Sequence, residues 1–91
     1  MKSKNAQKKE VREEIQRRLS SRGFKIIPKT NKKFWAVKNI TLAEIESLIK
    51  EITVLMEVID LDGGQVKPVL TWSYALLNET NAGAAGISIE I

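Results

Sequence analysis

Between Thr41 and Asp62 the apolar positions recur with the period of a helix. Leu42, Ile45, Leu48, Ile49, Ile52, Leu55, Met56 and Ile59 fall on one arc, and Glu44, Glu46, Ser47, Lys50, Glu51 and Glu57 fall on the other. The spacing predicts a long amphipathic helix over 41–61. Thr41 and Glu44 stand at capping-box spacing at its start, and Gly63-Gly64 follows its end. The rival pattern is a short helix followed by a strand near Ile52, because ITVLMEVI is rich in β-formers. That strand would be apolar on both faces, however, with no turn residue to introduce it.

A narrower stripe, Val11, Ile15 and Leu19, predicts an earlier helix over about 7–22. The pairs Glu13–Arg17 and Glu14–Arg18 support it at i,i+4, and Gly23-Phe24 is a helix ending with an apolar residue to fold back on the last turn. FKIIP (24–28) reads as a strand that stops at Pro28. Residues 29–32 form a turn, and KFWAVK (33–38) returns as the partner strand of a hairpin.

Further on, Leu70, Trp72 and Tyr74 alternate with Thr71 and Ser73, which favours a strand, although Pro68 would also suit the first turn of a helix. Residues 78–86 read as a small-residue loop. Residues 86–91 alternate cleanly, with Ile87, Ile89 and Ile91 on one face. The elements add up to an α+β domain with helices on one face of an antiparallel sheet. It is one domain over 7–91, preceded by a flexible basic segment, 1–6. A helix followed by two strands occurs twice, without sequence identity between the two units.

Composition changes this picture mainly by exclusion. Ninety-one residues support one small core. There is no cysteine and no histidine, so the chain lacks disulfides, thiolate ligands, the commonest general base and the commonest transition-metal ligand. Serines 20, 21, 47, 73 and 88 have no histidine to activate them. The expectation is a non-enzymatic protein that needs no cofactor. No apolar run reaches membrane-spanning length, and no apolar segment follows the lysine-rich start, so a cytoplasmic location is expected.

Charge adds more. Residues 1–38 carry thirteen basic side chains against three acidic, and residues 39–91 carry two against eight. Such asymmetry points to a polyanion partner, DNA or RNA, met through the basic half. The candidate contacts are Lys8, Lys9 and Arg12 on the first helix and Lys25, Lys29, Lys32, Lys33 and Lys38 on the hairpin, with Trp35 as a ring on which a base can stack. Strand neighbours alternate, so Phe24, Phe34 and Trp35 cannot all face outward, and most aromatic area in so small a protein belongs to the core. A soluble lysine-rich edge, or a basic hairpin neutralised by the acidic helix beside it, explains the same lysines without a ligand.

The alternative is a small inhibitor or adaptor of the phage or mobile-element type. It would dock on a host protein through Glu44, Glu46, Glu51, Glu57 and Asp60. A homodimer is a further expectation, through the long helix or through addition of the C-terminal strand to another sheet. Two weaker patterns complete the reading. Asp60, Asp62 and Lys67 would suit Mg²⁺-dependent nuclease chemistry if they shared a hairpin, but an Asp-Gly-Gly turn accounts for the aspartates more simply. Asn81–Gly86 ends like a dinucleotide loop, yet it lacks the first glycine and precedes a strand.

Overall fold

The computed structural model describes residues 4–57, 68–77 and 82–91. Helix α1 spans Lys4–Ser21, strand β1 Lys25–Pro28, β2 Lys33–Thr41, helix α2 Leu42–Glu57, β3 Val69–Leu76 and β4 Ala82–Glu90. The four strands form one antiparallel sheet in the order β1-β2-β4-β3. Exchanging the two helix–strand–strand units maps this order onto itself, so the repeat expected from the pattern of elements is present in the topology.

Strand alternation and burial fix which face is which. Phe34, Ala36 and Ile40 of β2 and Ala85, Ile87 and Ile89 of β4 point to one side. There they meet Ile15 and Leu19 of α1 and Ile45, Leu48, Ile52 and Met56 of α2. Both helices therefore lie on one face and the other face is free of them. The apolar arc of α2 is core, which removes it as the helix pair of a dimer. Leu42, at its first turn, stays exposed.

The junctions follow from local chemistry. Gly23, at φ 91°, ends α1 in a left-handed turn. Phe24 N–H donates to the Leu19 carbonyl and Gly23 N–H to that of Ser20, the two bonds of a Schellman ending, and the Phe24 ring packs into the core. At the start of α2 the Glu44 N–H donates to Thr41 Oγ1, and that hydroxyl donates to the Glu44 carboxylate. The capping box thus closes through the side chains, on a residue that is also the last of β2.

Several expectations need correction. The first helix begins at Lys4, so residues 4–6 of the segment read as flexible are helical: Ala6, Gln7 and Lys8 are good helix formers and nothing breaks the run. The loop expected over 78–86 gives way to strand from Ala82 onward. The small residues there serve close approach: a Cβ on Gly83 would lie 2.5 Å from the Tyr74 ring and 2.6 Å from the Ala75 carbonyl oxygen. β2 also runs three residues further than expected, to Thr41, because β4 is long enough to pair with all of it. Since β4 is paired on both sides, it cannot extend a second sheet, which closes that route to a dimer. The continuation of α2 to 61, with Ile59, lies outside the described residues, as do Asp60, Asp62, Lys67 and Asn81. Among the described residues no helix is long and apolar enough to cross a membrane.

Candidate nucleic-acid interface

The helix-free face can be read off the strand registers. Lys25 lies opposite Val37, Ile27 opposite Trp35, Lys33 opposite Glu90 and Trp35 opposite Ser88. Next to these come Thr71 opposite Ser88 and Ser73 opposite Gly86. β4, which occupies the middle of the sheet, presents the small residues Ala84, Gly86 and Ser88 to this side and, at its end opposite Lys33, Glu90, while taller side chains flank the small ones. The result is a shallow trough of about 290 Å³ between Trp35 and Val37 on one bank and Thr71 and Ser73 on the other. Among the described residues no charged side chain lines it.

Trp35 stands where the trough meets the hairpin, and it is 42% exposed, whereas Phe24 and Phe34 are buried. The alternation rule thus resolves the three aromatics: two go to the core and one faces outward. The Lys29 ammonium lies 3.8 Å from the Trp35 ring centroid. Such a contact at an exposed site is worth about 0.5–1 kcal/mol, weak enough for a stacking base to displace it and free the cation for a phosphate. Lys25 and Lys33 project from the same face, and Lys32 extends from the turn, where its N–H donates to Thr30 Oγ1. Among the described residues, none of Lys25, Lys29, Lys32 and Lys33 is paired with a carboxylate within 4.0 Å.

The remaining basic candidates go elsewhere. Arg12 Nη1 donates to the Ile91 carbonyl at 2.7 Å, and Ile91 N–H donates to the Lys32 carbonyl. Arg12 therefore ties α1 to the end of β4 and is not a free cation. Lys38 points to the helix side, where its ammonium donates to the Arg22 carbonyl at the end of α1 and lies 5.9 Å from the Phe24 ring centroid. A cation at a helix C-terminus is favourably placed, so Lys38 belongs to the fold. Lys8 and Lys9 ride on α1, on the far side of the sheet from Trp35, with Lys9 loosely paired to Glu13 at 3.9 Å. The single basic surface expected from the sequence is divided between two sides of the molecule.

The acidic set divides as well. Glu51 accepts from Arg18 at 2.7 Å and from Arg22 at 2.8 Å, joining the two helices. Neutralisation therefore runs between α2 and α1, not between α2 and the hairpin. Glu44 is used in the cap. Glu46 and Glu57 remain exposed, and Asp60 lies outside the described residues. Thr71, Ser73, Gly86 and Ser88 were not legible as site residues: they carry no charge, and only the sheet order places them beside Trp35. Comparison with models of protein families, with curated proteins and with solved structures finds no significant match to this chain.

Proposed function

We propose that this chain binds nucleic acid through the β1–β2 end of its helix-free sheet face. The observation that carries this reading is one arrangement: an exposed Trp35 on the helix-free sheet face, with Lys25, Lys29, Lys32 and Lys33 around it and, among the described residues, no ion pair within 4.0 Å to any of them, although Glu90 stands opposite Lys33. The lysines track phosphates, Trp35 offers a stacking platform, and the uncharged trough takes an adjacent base or sugar. Contacts of this kind give affinity with weak sequence preference. The role is binding without catalysis, in the cytoplasm. The acidic face of α2 is a weaker candidate for a partner, because Glu44 and Glu51 already serve the fold.

Fluorescence anisotropy with labelled single-stranded DNA, RNA and duplex DNA, titrated over a range of salt concentrations, tests the proposal. Each phosphate contact adds about −0.9 (duplex) or about −0.7 (single strand) to the slope of log affinity against log salt. Replacing Lys29, Lys32 and Lys33 by glutamate should lower affinity and flatten the slope by about two units or more. Trp35→Ala should weaken single-strand binding by roughly 1–3 kcal/mol and leave the slope unchanged. Unchanged binding in the triple variant would remove the hairpin as the site.

A further inference from the structure

The two edges of the sheet are built differently. β1 is four residues long, ends in Pro28 and is flanked by Lys25 and Lys29, all features that discourage a neighbouring strand. β3 is eight residues long, VLTWSYAL, with no charge, no proline and no bulge in its register with β4. Among the described residues nothing pairs with its outer edge. Val69 is 46% exposed, Trp72 40% and Leu76 69%, a concentration of apolar area on one edge of a chain dense in charge. We infer that β3 is a self-association edge: two copies pair β3 to β3 antiparallel about a two-fold axis, forming one eight-stranded sheet.

Charge and register both favour a second copy as the occupant. A pairing across β1 would bring the lysine clusters of two copies together. Pairing across β3 meets no like charge and leaves those clusters at opposite ends of the assembly. A two-fold perpendicular to the sheet keeps like faces together, so residues opposite one another must share a face. Every register with a residue on the axis satisfies this, and the two that pair the most of β3 are centred on Ser73 and on Trp72. With Ser73 on the axis, Trp72 meets Tyr74 of the second copy and Leu70 meets its Leu76, so every helix-side pair is aromatic or aliphatic. With Trp72 on the axis, Leu70 meets Tyr74 and Thr71 meets Ser73. Aromatic and β-branched cross-strand pairs are the main stabilising unit of such a junction. The main helix contacts are with β1, β2 and β4, and on the helix side of β3 Trp72 and Leu76 stay exposed, within reach of the neighbour. The helix-free faces become continuous, with the two Trp35 rings on the order of 25 Å apart, five strand spacings. None of this depends on nucleic-acid binding.

Sedimentation equilibrium of the full chain, from low micromolar to near-millimolar concentration, should show a monomer–dimer equilibrium. Ser73→Lys and Ser73→Glu should each raise the dimer dissociation constant by about tenfold or more, since like charges then face each other on the axis. An equimolar mixture of the two should recover dimer for the Ser73-centred register. Thr71→Lys combined with Ser73→Lys should abolish the dimer in either register. Circular dichroism should find these variants folded, because Thr71 and Ser73 are exposed. If a variant fails to fold, hydrogen exchange on the wild-type chain decides: protection of the β3 amides must rise with protein concentration. A wild-type chain that stays monomeric throughout overturns the inference. So does a dimer that the double lysine variant leaves intact, or β3 protection that ignores concentration.

Discussion

At Gly83 the absence of a side chain lets another one do its work. The Tyr74 ring lies over this glycine, and its hydroxyl donates to the Ile40 carbonyl at 3.0 Å. One side chain of β3 thus reaches across β4 to β2. Gly83→Ala should place a methyl inside the van der Waals radius of both the ring and the Ala75 carbonyl, and destabilise by about 1–3 kcal/mol. Urea denaturation measures the loss. In a Tyr74→Ala background the same substitution should cost less, though not nothing, because the Ala75 carbonyl remains. The glycine-rich run reads as a loop in sequence because its role is defined by the tyrosine above Gly83, nine positions away in the chain.

Among the elements, the junction of β2 and α2 is the tightest: Thr41 ends the strand and caps the helix at once. Thr41→Ala should destabilise the chain by about 1 kcal/mol, the usual worth of an N-cap, seen as a lower thermal midpoint. Thr41→Ser should recover most of it; if serine is as costly as alanine, the hydroxyl is not what matters. The helices were legible because their apolar positions recur within one segment and their ends carry local marks, Thr41-x-x-Glu44 and Gly23-Phe24. The strand β3 was legible from its alternation, yet its ambiguity with a helix was real, since the pairing with β4 that decides it is not local. Phe24 and Phe34 against Trp35 could be separated only as far as parity allows. Parity says that Phe34 and Trp35 face opposite sides, and burial against the helices says which side is which.

Over the whole molecule, the charge asymmetry of the sequence becomes a two-sided distribution. Lys8 and Lys9 sit on the helix side, and Lys25, Lys29, Lys33 and Trp35 on the bare face, with the sheet between them. A sheet and the layer above it are about 10 Å apart, beyond the Debye length of about 8 Å at physiological salt, so the two sets act nearly independently there. Lys8→Glu with Lys9→Glu should therefore change nucleic-acid affinity by less than about threefold at that ionic strength, while the hairpin variants lose far more. Equal losses from both sets would mean that the ligand wraps around the edge of the sheet, and the contact surface would have to be redrawn to include α1.

The sequence by itself determined the α+β class, both helices with their caps, the hairpin and the asymmetry of charge, and it favoured the strand at β3 without deciding it. All of these rest on residues within a few positions of each other, where period, propensity and spacing act directly. Only the tertiary structure decided that β4 lies inside the sheet, that Glu51 neutralises Arg18 and Arg22 and leaves the hairpin lysines alone, and that Arg12 and Lys38 are bound to backbone carbonyls. It also decided that the small side chains of Ala84, Gly86 and Ser88 become the floor of a trough beside Trp35. The physical reason is common to all four. Which groups meet across a sheet or between helices is set by strand order and face, and those follow from burying Phe34, Ile87, Ile89 and the two helix stripes together, a condition on the whole chain that no short stretch of it contains.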